Sequence, residues 1–254
     1  MFDFRVLLLG LFLFGFGLLL FFGGFKALRR RRVIQALPTS TVRSLAMGLV
    51  EVYGDVVVAK ETLKTPLQGE SCVYYHYTIE EYRRQGKSSR WVTIKQGSRG
   101  VTFFLRDKTG KVLVDPTGAE IDLTRDFHVE SRTGSNPPAS VISFLKANNM
   151  NFENFLGFNK QMRYSESYLT PGDKVYILGT AGKNPDVKAG TAVESVQGIM
   201  LQKGGKSEPE YYISDKSEKE VLAAQQWKVV GGLVGGPALI VGGLAVILLY
   251  FGLF

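Results

Sequence analysis

The chain has 254 residues, 45% of them hydrophobic, and a formal net charge of +8 at neutral pH. Much of that excess sits in one short run, Lys26 with Arg29, Arg30, Arg31 and Arg32, so no nucleic-acid partner is expected, because such a domain spreads its basic residues over a face. One cysteine, Cys72, and two histidines, His76 and His128, exclude an internal disulfide and the usual structural zinc sets within these residues.

Residues 6–25 are uncharged and almost wholly Leu, Phe, Val and Gly. About 20 helical residues cross a hydrocarbon core of about 30 Å, so this run reads as a transmembrane helix. Arg5 precedes it, as in a signal peptide, yet no A-x-A cleavage pattern follows and four arginines do. The reading is a retained anchor with its N-terminus outside and its basic end, Lys26 and Arg29 to Arg32, on the cytoplasmic side. Those residues also attract anionic lipid headgroups, at about 1 kcal/mol each near the surface. Pro38, followed by Thr39, Ser40 and Thr41, breaks the helix. Residues 1–25 are therefore read as the anchor and residues 26–45 as a basic juxtamembrane linker.

From residue 46 to 216 the text is β-like. AMGLVEVYGDVVVA is rich in β-branched residues, with Gly48 and Gly54 as bend points. LKTPLQGES reads as a turn. CVYYHYTIEEYRR alternates with aromatics on both faces, which predicts a strand interior to a sheet. RWVTIKQG predicts its partner. VTFFLRD and KVLVDP flank Lys108, Thr109 and Gly110 as an antiparallel hairpin. Asp115, Pro116, Thr117 and Gly118 read as another turn, and FHVESR as a further strand. After Ser135-Asn136-Pro137-Pro138, the spacing of Val141, Phe144 and Leu145 predicts a short amphipathic helix. Phe152, Phe155, Leu156 and Phe158 form an aromatic patch, read as packing. KQMRYSESYL and KVYILGTAG are strands about Thr170-Pro171-Gly172-Asp173, a type II turn needing positive φ at Gly172. AVESVQGIMLQ and EYYIS, separated by KGGKSE, complete the sheet text.

Ser217 with Glu220 is a capping-box pattern, opening a helix that runs on into a second uncharged stretch over residues 229–254. Trp227 and Lys228 stand at the junction, where interfacial Trp and snorkelling Lys belong. Gly232 and Gly236 would let another helix approach closely, either the first span or that of a second copy. Residues 217–254 are thus a helix continuing into a C-terminal transmembrane helix. The fold class is mainly β, an antiparallel barrel or sandwich with a short helical insertion, flanked by two transmembrane helices.

No catalytic constellation emerges. There is no phosphate-binding Gly-rich loop, no nucleophile elbow and no H-E-x-x-H. His76 and His128 fall inside predicted strands, as structural histidines do. Asp107 and Asp115 have a turn explanation. No catalytic residue, cofactor or metal site is expected. The loops offered as partner contacts are Asp107 to Gly110; Asp115, Pro116, Gly118 and Glu120; and Pro171, Gly172 and Asp173.

The blocks MGLVEVYGDV, CVYYHYTIEEYRR, RWVTI, LRDKTGKVLVDPTGAEI, MRYSESYLTPGDKVYILGTA and EYYISDKSEKEVLAAQQW, in this order and between two spans, resemble the GIDE domain. That domain is best known from a membrane-anchored E3 ubiquitin/SUMO ligase of the mitochondrial outer membrane. The resemblance implies a ligase-related family whose relative carries a zinc-binding RING after its second span. The sequence stops at Phe254 with one cysteine, so a RING-less, prokaryotic-type member without ligase activity of its own is expected. In the ligase the domain lies outside the cytosol; here the arginine run argues for the cytoplasm.

The function expected is a non-enzymatic, membrane-anchored interaction or scaffold domain. Its partners would be anionic lipid and a membrane or cytoplasmic protein. The alternative is a ligase component whose catalytic module is supplied in trans. A homo-oligomer packed through the glycine-rich span is a third reading.

Overall fold

A computed structural model describes residues 4–86, 88–132, 134–152, 159–185, 187, 198–205 and 210–253. The chain divides into two compact units, Met1–Pro38 with Ser217–Phe254, and Thr39–Lys216.

In the helical unit, α1 (Phe4–Ala36) carries the basic run on the helix itself and ends just before Pro38. In the β unit, β1 (Thr39–Ser40) is followed by β2 (Gly48–Val58), β3 (Leu63–Lys64), β4 (Ser71–Cys72), β5 (Tyr74–Gln85) and β6 (Ser88–Gly100). Then come β7 (Phe103–Arg106), β8 (Lys111–Val114), β9 (Glu120–Asp122) and β10 (Phe127–Ser131). Helix α2 (Ala139–Ala147) precedes β11 (Met162–Leu169), β12 (Lys174–Lys183), β13 (Ile199–Gln202) and β14 (Tyr212–Ser214). The helical unit resumes with α3 (Glu218–Val230), a π-helical turn at Gly231–Gly235, and α4 (Gly236–Tyr250). Pro237 supplies no N–H to the preceding turn, and the wide turn directly before it accommodates that loss.

Strands β2, β7, β8, β13 and β12 pair in that order, and β12 returns to β2, closing a barrel. All of these pairings are antiparallel except β8 with β13, which is parallel through Leu113–Val114 and Met200–Leu201. Taken as first to fifth strands in chain order, they run 1-2-3-5-4-1. This is the connectivity of the OB-fold, a five-stranded Greek-key barrel. Alternation puts Val52 and Val56 of β2 inside with Phe103, Leu105, Val112, Val114, Val175, Ile177 and Leu201. Gly54 of β2 lies close against the end of β7: a Cβ there would stand 2.9 Å from the Arg106 carbonyl carbon. β14 shares the edge of β12 with β13, and β9 adds to β14 in parallel.

Two barrel connections are long. The one after the first barrel strand carries β3 to β6, and the one after the third carries β9, β10, α2 and β11. Their strands meet in a four-stranded antiparallel sheet, β10-β11-β5-β6, with β5 interior as its two aromatic faces predict. Val141 and Leu145 of α2 are buried with Leu67, Tyr77, Ile79, Met162 and Tyr164 in a second core.

The expected fold class holds: mostly strands, a barrel, a small helical insertion and two long apolar helices. Residues 63–71, expected as a turn, form with Cys72 the small hairpin β3–β4. The strand expected from Cys72 breaks at Val73, whose N–H bonds to the Leu169 carbonyl at 2.8 Å while its own carbonyl accepts from Val101. Glu120–Asp122, expected only as loop, is the edge strand β9. Phe155, Leu156 and Phe158, residues 192–197 of AVESVQGIMLQ and residues 206–209 lie outside the described residues.

Candidate functional site

The first predicted contact loop is built around one carboxylate. Asp107 Oδ1 accepts from the Thr109 N–H at 2.7 Å, the Thr109 hydroxyl at 2.7 Å and the Gly110 N–H at 2.9 Å. Oδ2 accepts from the Val42 N–H at 2.8 Å, strapping the hairpin to residues 42–44. Burial opposes the charge, but these bonds outweigh it and hold the Asp107 carboxyl below its usual value. Thr109 Oγ1 in turn accepts from the Arg43 N–H at 3.0 Å.

The second loop follows the same rule. Asp115 Oδ1 accepts from the Thr117 N–H at 3.0 Å. Pro116 is buried, and its carbonyl accepts from the Ala119 N–H at 3.1 Å. Gly118 has φ +76°, a left-handed conformation that glycine adopts without strain. The Glu120 N–H donates to the Tyr211 carbonyl at 2.8 Å.

In the third loop Asp173 Oδ2 accepts from the Thr170 N–H at 2.6 Å and the Thr170 hydroxyl at 2.9 Å. Pro171 is exposed, and Gly172 has φ +99°, the positive value the type II turn requires. Its N–H donates to the Val56 carbonyl at 2.8 Å.

Strand register separates the loops. Val58 pairs with Phe103, and Phe103 with Val114, so residues 115–118 leave the barrel at the Val58 end of β2. Lys174 pairs with Asp55, which brings Pro171 to Asp173 to that same end. Arg106 pairs with Asp55 and Lys111, so Asp107 to Gly110 project towards the opposite end. The second and third loops share one end of the barrel, and the first lies at the other.

The other chemistry-bearing residues have the following surroundings. Cys72 is buried, and burial pushes its thiol up to about 11, a protonated and unreactive state at neutral pH. His76 Nε2 lies 3.2 Å from the Thr78 hydroxyl, and His128 Nδ1 lies 2.9 Å from the Ser165 hydroxyl. Among the described residues no three His, Cys, Asp or Glu side chains cluster as metal ligands would.

One surface cluster escaped the sequence reading. Arg163 of β11 holds Glu80 of β5 by a two-pronged ion pair, Nη2 to Oε1 at 2.8 Å. Its guanidinium lies 4.6 Å from the Trp91 ring centre, and Trp91 packs on Tyr82 at 5.2 Å. The Arg163 hydrogen bonds hold the Glu80 carboxyl below its usual value. Pairing across β5, β6 and β11 assembles the cluster; only Tyr82 opposite Trp91 was foreseeable from the hairpin.

In the helical unit, Lys26, Arg29 and Arg32 are exposed, Arg31 is half-buried and Arg30 is buried. Trp227 is 77% exposed and Lys228 is exposed beside it. Gly232 and Gly236 face α1. A Cβ on Gly232 would stand 2.6 Å from the Leu20 carbonyl oxygen, and one on Gly236 would stand 2.9 Å from the Phe21 nitrogen. Gly243 completes the row, with Phe14 nitrogen at 2.6 Å, and Gly10, Gly17 and Gly24 answer from α1. Of the two helices that could have met Gly232 and Gly236, the first span does so.

The family model described as "GIDE: E3 Ubiquitin ligase" matches residues 74–248. No curated protein and no solved structure matches the chain.

Proposed function

The chain belongs to the GIDE family, and from that premise we propose that it is a membrane-anchored interaction domain that binds protein partners through its β unit without performing the chemistry itself. The supporting observation is how the loop carboxylates are spent. Asp107, Asp115 and Asp173 each bond to their own turn, which suits rigid contact loops on a scaffold better than acid–base work. Its two long apolar helices tether the chain at both ends. On this reading the exposed Lys26, Arg29 and Arg32 meet anionic headgroups at the first span's inner end, and the basic run supports a cytoplasmic β unit. Tethering raises local concentration near membrane partners, so modest intrinsic affinity suffices.

The test is partner capture by the full chain from native membranes, with Lys108→Glu and Thr117→Arg as exposed loop variants. Reproducible partners lost in the variants are expected. No partner, or capture indifferent to both variants, removes the reading. Protease accessibility in intact cells tests sidedness: digestion of the β unit from outside would refute the cytoplasmic placement.

The family description favours one alternative, a component of a ubiquitin-like ligase system with the catalytic module in trans. Copurification of a RING or E2-like protein, with transfer activity that depends on this chain, would establish it.

A further inference from the structure

The barrel carries a groove of about 690 Å³ lined by Arg43, Lys60, Lys111, Phe104, Leu113 and Ile199, with Ala59, Thr109, Gly110, Asn184 and Val187 at its margins. We propose that this groove is a binding site for an acidic, aliphatic-containing peptide segment of a partner protein. The inference rests on the protein-interaction reading above and gives that reading a location.

The first argument is position. Phe104 is on the second barrel strand and Lys111 and Leu113 are on the third. Ala59 and Lys60 open the connection between the first and second strands, and Asn184 and Val187 lie between the fourth and fifth. The face of strands two and three, with these same two connections, is where barrels of this topology take oligonucleotides and oligosaccharides, so position marks a ligand face and the lining must decide the ligand. The groove also lies beside the weakest closure: β8 and β13 pair only through Leu113–Val114 and Met200–Leu201.

The second argument is charge. Arg43 and Lys111 are exposed cations, and among the described lining residues there is no carboxylate. Asp107, in the adjoining hairpin, points both oxygens at Val42, Thr109 and Gly110. An anionic ligand is therefore favoured, and electrostatic complementarity would select it and speed its arrival.

The third argument separates a peptide from a nucleic acid. Single-stranded nucleic acid needs open aromatic faces for its bases. Phe104 is the one ring among the described lining residues, and Lys111 Nζ lies over it, 4.5 Å from the centroid. The remaining floor, Leu113 and Ile199, is aliphatic, as is Val187 at the margin, and suits Leu or Ile between Asp and Glu residues.

The experiment uses the full chain in phosphatidylcholine nanodiscs and a fluorescein-labelled peptide of Asp and Glu around Leu and Ile. Fluorescence anisotropy should show saturable, salt-sensitive binding. Lys111→Glu, and Arg43→Glu with Lys60→Glu, should each weaken it about tenfold, as loss of a paired interfacial charge does. Lys146→Glu, on α2 outside the groove, should leave it unchanged. Circular dichroism confirms that each variant is folded, and Lys111→Arg should restore binding if a variant is not. Equal binding of a peptide with Asn and Gln in place of Asp and Glu overturns the proposal. So does insensitivity to the groove variants. Tighter groove-dependent binding of an oligo-dT strand, or of phosphatidylglycerol vesicles, also overturns it, in favour of nucleic acid or lipid. Partner capture that survives Lys111→Glu but not Lys108→Glu would remove the groove and leave the interaction function standing.

Discussion

Between α1 and α4 the backbones nearly touch because glycines leave nothing between them; inside the barrel the strands stand apart on Phe103, Leu105 and Ile177. The large side chains of the helical unit point the other way, with Phe12 65%, Leu19 74% and Phe22 68% exposed. Water drives apolar side chains inward, at about 25 cal/mol per Å² of buried surface. Lipid gives no such drive, so spans associate by close contact between small residues. The difference teaches that the same composition is read by opposite rules in the two units. An exposed Phe is expected in one and would be a defect in the other.

The largest test of that contrast pairs two phenylalanines. Phe103→Ala removes a fully buried ring from the barrel and should cost about 3–5 kcal/mol, as large-to-small core changes do. Phe12→Ala, facing outward from α1, should change stability by no more than about 0.5 kcal/mol. Urea unfolding of the β unit and thermal melting of the helices, both in detergent, measure the two. Comparable losses would erase the distinction. Next in size is a pair of adjacent glycines. Gly243→Leu would drive a side chain into the Phe14 backbone, whereas nothing lies within 4 Å of a Cβ at Gly242. The first should destabilise helix association by about 1–3 kcal/mol, the usual cost of overpacking, and the second should be neutral. If Gly242→Leu proves the harmful one and also lowers the mass in detergent, the span packs on another copy instead.

How much of this could be read in advance divides along the same line. The spans, the Ser217 cap, the Lys108 to Gly110 hairpin, the Gly172 turn and the Val141/Leu145 helix were legible because each depends on neighbours within a few residues. Barrel closure was not, since the parallel pairing of Leu113 with Met200 has no local signature. Nor was the meeting of two insertions in one sheet. The loops offered as partner contacts are turns, as their residues indicate, but that Asp107 lies at the far end from Asp115 and Asp173 required the register. The groove residues Arg43, Lys60, Phe104 and Lys111 are scattered among unremarkable surface residues and converge only through topology. Gly232 and Gly236 showed their capacity for close packing, and the partner helix was left open because small-residue spacing does not say which helix answers.

A smaller effect, legible only as pH dependence, comes from two carboxylates in the β unit. Glu166 is buried, accepting from the Leu67 N–H at 3.0 Å and the Gln68 N–H at 3.3 Å. Burial raises its carboxyl above the ordinary 4.5, despite the bonds from Leu67, Thr65 and Gln68 that favour its charge. The folded protein therefore keeps this proton to higher pH than the unfolded chain does. The Glu166 contribution to stability should decline as pH rises from 4.5 through the raised value. Asp107 has the opposite sign: its contribution is present above 3.8 and is lost as pH falls through its lowered value. Denaturant midpoints of Glu166→Gln and Asp107→Asn across that range should each lose one of these slopes. Identical profiles for wild type and Glu166→Gln would show that the buried carboxylate is ionised at no cost.

The smallest effect concerns the start of α3. The Ser217 hydroxyl accepts from the Glu220 N–H at 3.4 Å, while Glu220 Oε2 accepts from the Ser217 N–H at 2.8 Å. Ser217→Ala removes the side-chain half of this reciprocal cap and should cost about 1 kcal/mol, the usual worth of an N-cap. The cost should be local. The cap satisfies donors of the first turn only, and α3 is continuous with a span locked at Gly232, Gly236 and Gly243 several turns away. Amide exchange should therefore quicken at Lys219, Glu220 and Val221 while the amides of α4 keep their protection. If exchange quickens along α4 as well, the span depends on its soluble first turn, and glycine contact alone does not hold the helices together.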